Sequence, residues 1–188
     1  MPRACAPFLL FLCALVFPAA AVAQTSPTGG AEFGDPAPIV TAGSQATLLP
    51  DGSAAAPADA PPQVQAAIFA ANKLLDKPYK YGGGHAKVED TGYDCSGTIS
   101  YALIAAGALK SPLDSGSFMR WGLKGKGAWI TVYTNPGHAY AVIAGLRLDT
   151  STGGVTSRRI ARTAERGPRW RATLRNPRGY KVRHPLGL

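Results

Sequence analysis

The chain has 188 residues, 46% of them hydrophobic, and a formal net charge of +9, and its length fits one domain with extensions. All of the excess positive charge lies in residues 151–188, the basic C-terminal segment, where ten Lys and Arg stand against one acid. Such a segment could contact an anionic envelope surface, or it could be a basic face exposed to solvent. The lack of any nucleic-acid-binding motif argues against nucleic acid as a partner.

Residues 1–23 are typical of a secretory signal peptide. Arg3 precedes a short apolar run over residues 8–17, and residues 21–23 (AVA) end the segment. A retained membrane anchor is the alternative, but the run is short for a bilayer span. We therefore predict that the mature chain is secreted or periplasmic and has no transmembrane anchor.

Cysteine usage draws attention to Cys95. Cys5 and Cys13 would leave with the signal peptide, so the mature chain would keep one cysteine and no internal disulfide. An unpaired thiol is a liability in an oxidising compartment. Burial as a small hydrophobe would account for Cys95, and so would catalysis.

Residues 24–60 are rich in Ala, Pro, Gly, Ser and Thr and poor in large apolar side chains. Such a segment buries too little surface to offset its ordering entropy, so we predict a flexible linker. The residues in it that are best suited to pack on the domain are Ile39, Val40, Leu48 and Leu49.

A single domain is predicted over residues 61–188. Apolar residues at helical spacing predict a helix over residues 62–75. The glycines of residues 82–84 are not followed by the Lys and Ser or Thr of a phosphate-binding loop, so a tight turn that lets the backbone approach the Cys95 loop is the better interpretation. We interpret His85 as a polar loop residue.

Cys95 lies where this polar loop meets the apolar run of residues 98–106. The run predicts a helix, and Gly107 is typical of the residue beyond a helix C-terminus. A cysteine in the first turn lies at the positive end of the helix dipole, which favours the nucleophilic thiolate.

After residue 128 the apolar pattern changes to a period of two, which is typical of strands. The predicted strands cover residues 129–133, 138–144, 146–150, 170–174 and 179–183. Helices followed by an antiparallel sheet predict an α+β domain.

A nucleophilic cysteine needs a base, and the base needs an orienting acceptor. His138 begins one predicted strand, and Asp149 lies near the end of the next. A two-residue turn at 144–145 would place both side chains on one face, with Asp149 opposite Tyr140 and diagonal to His138, whereas an odd-length turn would separate them. The alternatives are a turn histidine and an ordinary strand-end acid.

Three motifs together resemble the NlpC/P60 family of cell-wall cysteine peptidases. They are Pro78-Tyr79 followed by Gly82-Gly83, residues 94–97 (DCSG), and Gly137-His138 about forty residues further on. The resemblance covers roughly residues 62–150, the core of the domain. It implies a papain-like fold in which a helix carrying the cysteine at its N-terminus packs on an antiparallel sheet.

The family cleaves peptidoglycan stem peptides, commonly between D-glutamate and a diamino acid. By resemblance, Cys95 is the nucleophile and His138 the base, and Asp149 falls near the family's third polar residue. The residues matching positions that line the site and hold the free end of the stem peptide are Tyr79, Asp94 and Ser96. Tyr79 also matches a residue that helps to stabilise the oxyanion.

Two features depart from the family pattern. Residues 127–130 (GAWI) stand where members have Pro-Gly-Asp-Leu, and an aspartate is a less usual third residue. Two alternative functions stay open. One is a catalytically silent wall-binding module, and the other is a Cys–His amidase or acyltransferase with another substrate. The three histidines and Cys95 lack metal-ligand spacing, so neither a metal nor another cofactor is expected.

Overall fold

The computed structural model describes Met1 and residues 38–151 and 167–188. Both ranges belong to one unit, Pro36–Leu188, in which helices pack with two sheets, so the predicted α+β class is confirmed. None of the helices in these ranges is long and apolar enough to cross a membrane. The predicted signal peptide, the first part of the predicted linker and residues 152–166 lie outside the described residues.

A three-stranded sheet begins the described chain. Its strands are β1 (Val40–Thr41), β2 (Thr47–Leu48) and β3 (Ala54–Pro57), in the order β1-β3-β2. β3 pairs parallel with β1 and antiparallel with β2. Residues 38–60 are therefore part of the domain, which corrects the linker prediction for this stretch.

Small side chains explain why composition was misleading here. Residues 54–56, all alanine, are at most 1% exposed, whereas Ile39 and Val40 are half exposed. Alanine lets the β3 backbone approach the following helix, where the Asn72 side chain bonds both the N–H and the C=O of Ala54. Backbone contacts of this kind are not registered by a count of large apolar side chains.

Two long helices carry the apolar faces that the sequence predicts. α1 (Pro62–Asn72) begins with a proline, whose missing N–H costs nothing in the first turn of a helix. The helix ends at Asn72, before the predicted end at residue 75. α2 (Cys95–Ala105) is buried along most of its length, and Gly107 follows its C-terminus with φ 68°. A short third helix, α3 (Ser115–Phe118), precedes the large sheet.

The large sheet has six strands in the order β4-β9-β5-β6-β7-β8, and every neighbouring pair is antiparallel. The strands are β4 (Leu123–Lys124), β5 (Ile130–Asn135), β6 (His138–Ile143), β7 (Leu146–Asp149), β8 (Arg169–Arg171) and β9 (Lys181–His184). The sequence predicted β9 as a strand but not its place between β4 and β5.

The β6–β7 hairpin has the register on which the predicted site depends. Ile143 pairs with Leu146, which leaves Ala144 and Gly145 as a two-residue turn. Both have positive φ, 46° and 89°, as a type I′ turn requires. Of the two turn lengths that the sequence allowed, the structure has the even one, which keeps alternate residues of the two strands on shared faces.

The two faces of this hairpin have different roles. Ala139 and Leu148 are fully buried on the face that joins the helices in the hydrophobic core, and Trp170 of β8 is buried in the same core. His138 and Asp149 alternate with these residues and lie on the opposite face. The core therefore holds the hairpin on α2 while its other face is left for polar side chains.

Candidate active site

Cys95 is the first residue of α2, and Asp94 caps the helix. The Asp94 carboxylate Oδ1 accepts a hydrogen bond from the Gly97 N–H at 2.7 Å, which satisfies one of the first-turn donors. Cys95 is 9% exposed. It therefore combines near-complete burial with the end of a helix where negative charge is favoured.

The glycine loop before α2 packs its backbone on the first turn of the helix. The Gly83 C=O accepts a hydrogen bond from the Asp94 N–H at 3.3 Å, and it occupies the space that a Cβ on Gly97 would need. The tight turn predicted over residues 82–84 is therefore confirmed, and two glycines that face each other make the approach to the Cys95 loop geometrically feasible.

We expect Gly97→Ala to destabilise the protein, although alanine normally favours a helix over glycine by ~1 kcal/mol. Its Cβ would collide with the Gly83 carbonyl, which is backbone and cannot rotate away. Overpacking of this kind costs about 1–3 kcal/mol. Urea unfolding measures the loss, and a variant at least as stable as the unchanged chain would contradict this close contact.

The side chains of His138 and Asp149 meet as the hairpin register predicts. His138 Nε2 lies 2.9 Å from Asp149 Oδ1, and Asp149 and Cys95 both raise the pKa of the His138 ring through hydrogen bonding and charge. Because Asp149 engages Nε2, Nδ1 is the ring nitrogen left to face the thiol. The predicted nucleophile, base and orienting acid therefore form one continuous relay.

Charged partners hold His138 protonated at neutral pH. Burial would lower its pKa, but the hydrogen bonds and charges of Asp149 and Cys95 outweigh burial and raise the pKa to about 9. Burial would likewise raise the pKa of Asp149, but His138, the Ser151 N–H and Arg175 outweigh it and hold that pKa below its usual value. The relay therefore contains an imidazolium beside a carboxylate at pH 7.

Asp149 is 1% exposed, and each of its oxygens faces two partners. Oδ1 contacts His138 and accepts a hydrogen bond from the Ser151 N–H, both at 2.9 Å. Oδ2 faces Arg175 Nη1 at 3.2 Å and Arg147 Nε at 3.4 Å. Sequence reasoning missed both arginines. The signal for Arg175 was the excess of basic residues in the C-terminal segment, and the signal for Arg147 was its place two residues before Asp149 in one strand, which puts both side chains on the same face.

Three tyrosines surround the relay. The rings of Tyr133 and Tyr140 stack with their centroids 4.7 Å apart. Tyr180, from the basic C-terminal segment, meets Tyr140 edge-on at 5.1 Å and His138 at 6.5 Å. Apolar ring surface lowers the local dielectric, which strengthens the hydrogen bond between His138 and Asp149.

A second polar cluster joins the residues that flank Cys95. His85 Nε2 lies 3.0 Å from Asp94 Oδ1 and 3.3 Å from Ser96 Oγ. The interpretation of His85 as a plain loop residue missed this contact. A single nitrogen makes both contacts, whereas a Ser–His–Asp relay uses both ring nitrogens, so the cluster does not have the geometry of a serine nucleophile.

Tyr79, the third predicted substrate contact, is positioned by its backbone. It forms a parallel bridge with Tyr93, and the Lys80 N–H donates to the Tyr93 C=O at 3.3 Å. Tyr79, Asp94 and Ser96 therefore belong to one loop-and-helix unit that also carries Cys95. Their contact with a substrate stays a prediction.

Part of the basic C-terminal segment points inward. Arg175 binds Asp149, Arg183 donates a hydrogen bond to the Met119 C=O, and the Nε of Arg171 is buried. A fully solvated basic face does not describe these side chains. Contact of the remaining charges with an anionic envelope surface stays a prediction.

The chemistry of the site follows from its own residues, which place a cysteine that can act as a nucleophile beside an imidazolium that can give a proton to a leaving group. In the part of the chain that the structure describes, no group of three or more His, Cys, Asp or Glu side chains could hold a metal ion. No protein-family model matches the chain, and no curated protein matches it.

Proposed function

We propose that the chain is a secreted or periplasmic cysteine peptidase of the NlpC/P60 type, with that family's papain-like fold. Its substrate is the stem peptide of peptidoglycan, cleaved at the amide between D-glutamate and the diamino acid. The observation that carries the proposal is the Cys95–His138–Asp149 relay at the start of a helix packed on an antiparallel sheet. The loop carrying Tyr79 and the DCSG motif supports the choice of substrate.

In the first half-reaction the Cys95 thiolate attacks the carbonyl carbon, a C–S bond forms and the carbonyl electron pair moves to oxygen. First-turn N–H groups of α2 that have no intrahelical acceptor stabilise this oxyanion. His138 then gives its proton to the leaving nitrogen as the C–N bond breaks. The products are a free amine and a thioester on Cys95.

In the second half-reaction neutral His138 takes a proton from water, and the resulting hydroxide attacks the thioester. The C–S bond breaks, the thiolate returns and the acyl group leaves as a carboxylic acid, which gives its proton to solvent and becomes a carboxylate. Asp149 keeps the imidazole in one tautomer and orientation through both halves. The enzyme ends in the thiolate–imidazolium state from which it started.

The test is incubation of the purified full-length chain with peptidoglycan from several wall types, with released muropeptides identified by mass spectrometry. We expect fragments that carry one added water per cleaved bond and end at D-glutamate. Cys95→Ala should release none. His184→Ala is the matched control, because His184 bonds the Gly125 C=O outside the relay. The absence of any Cys95-dependent product from all wall types would reject the proposal.

A second candidate is transfer of the acyl group to an amine, which the same thioester permits. Products in which an added amine replaces the leaving group would favour it over hydrolysis. A silent wall-binding module would instead leave wall binding and cellular phenotype unchanged in Cys95→Ala. Loss of the phenotype in that variant would exclude the silent module.

A further inference from the structure

The basic C-terminal segment contributes an arginine to the acid of the relay. Arg175 Nη1 donates to Asp149 Oδ2 at 3.2 Å and to Ser151 Oγ at 3.0 Å. Its guanidinium carbon also lies over the rings of Tyr140 and Tyr180, 5.4 Å and 5.6 Å from their centroids. Four contacts therefore hold a side chain that lies outside the core predicted from the sequence.

We propose that Arg175 is a positioning residue for the reaction, which it serves by fixing the rotation of the Asp149 carboxylate so that Oδ1 faces His138. A carboxylate turns readily about its last side-chain bond, because that torsion is broad. Hydrogen bonds at both oxygens remove this freedom, and the one at Oδ2 comes from Arg175. The proposal rests on the proposed function of the relay.

Arg147 faces the same oxygen but does not fill this role. Its Nε lies 3.4 Å from Asp149 Oδ2 and makes no hydrogen bond with any described residue. Arg147 therefore contributes positive charge beside Asp149, whereas Arg175 contributes both positive charge and a hydrogen bond that fixes the orientation of the carboxylate. Since Arg147 remains beside Asp149 when Arg175 is replaced, the carboxylate keeps a counter-charge in such variants.

A positioning role and a purely electrostatic role of Arg175 predict opposite changes in the His138 pKa when Arg175 is removed. As a nearby cation, Arg175 weakens the pull of Asp149 on the imidazolium proton, so its removal alone would raise the His138 pKa. As an anchor, its removal lets the carboxylate turn, His138 loses its hydrogen bond with Asp149, and its pKa falls from about 9. The direction of the change therefore distinguishes the two roles.

The experiment compares Arg175→Met and Arg175→Lys with Arg178→Met in the full-length chain. Arg178 is the matched control, since it is an exposed arginine of the same segment. The His138 pKa is read by NMR titration of histidine-labelled protein, with the signals of the other two histidines assigned by His85→Gln and His184→Gln. Peptidoglycan turnover gives kcat and KM separately.

We expect Arg175→Met to lower the His138 pKa by about one unit or more and kcat by roughly 10-fold to 100-fold, with KM changed less than about twofold. Arg175→Lys should recover part of the His138 pKa and part of kcat. Arg178→Met should change neither quantity. A His138 pKa that rises, or stays level with that of Arg178→Met, would overturn the proposal. If the unchanged chain does not act on peptidoglycan, the proposed function fails, but the titration still decides the role of Arg175.

Discussion

Cys95→Ser is expected to be nearly as inactive as Cys95→Ala, with both variants losing about 10⁴-fold or more of kcat on peptidoglycan. A serine hydroxyl is a weak nucleophile unless a neighbouring base removes its proton. A pKa of about 9 keeps the His138 ring protonated at neutral pH in the unchanged chain, and Asp149 still favours the protonated ring when Cys95 is replaced. Cysteine avoids the difficulty, since its sulfur is intrinsically a strong nucleophile.

The serine variant should regain some activity as the pH approaches the His138 pKa. Replacing Cys95 removes one cause of the raised pKa, but Asp149, the stronger of the two hydrogen-bonding partners, remains. Initial rates of muropeptide release over a pH series, with thermal unfolding as the control for an intact fold, measure the effect. A serine variant within about tenfold of the unchanged enzyme at pH 7 would contradict the ion pair.

Asp149→Asn is expected to destabilise the fold by about 3–5 kcal/mol, the usual effect of removing one partner from a buried ion pair. The carboxylate faces His138, Arg147 and Arg175 in a position only 1% exposed. An amide of the same shape can still accept a hydrogen bond from His138, but it leaves these cations without a counter-charge. Urea unfolding measures the loss, with Asp59→Asn as the control for an exposed acid.

The destabilisation should depend on pH in a defined direction. The folded-state pKa of His138 is raised from 6.5 to about 9, so its stabilisation is complete below about pH 6.5 and is lost as the pH rises to 9. Asp149 has a lowered pKa, so its stabilisation is present above about pH 4 and is lost in acid. The difference between the unchanged chain and Asp149→Asn should therefore be largest between these limits. A difference that stays constant up to pH 9 would contradict the assignment.

The Cys95 helix and the His138–Asp149 pair were predictable from sequence because their determinants are local. The Cys95 helix begins at an aspartate cap within the same motif, and its apolar run is continuous. His138 and Asp149 lie on neighbouring strands joined by a two-residue turn, so turn length and a period of two were enough to place them together.

The remaining parts of the site depend on side-chain contacts that neither a repeat of apolar residues nor the length of a turn specifies. Arg175 reaches Asp149 across a gap of 26 residues, and His85 was missed because its partner Asp94 was considered only as a helix-start and substrate residue. The alanines of β3 were misjudged for a related reason, since their burial depends on the neighbouring helix and not on their own hydrophobic bulk. Local periodicity contains no information about these pairings.

The place of β9 couples the middle of the large sheet to a distant segment of the chain. β5 pairs with β6 across a tight turn, but its other neighbour, β9, is synthesised about fifty residues later, and such non-local pairings form late and slowly. Tyr180 immediately precedes β9, and its ring packs against those of Tyr140 and His138. The pairing that completes the middle of the large sheet therefore also brings an aromatic ring against the proposed catalytic histidine, so a chain shortened before β9 would lose both together.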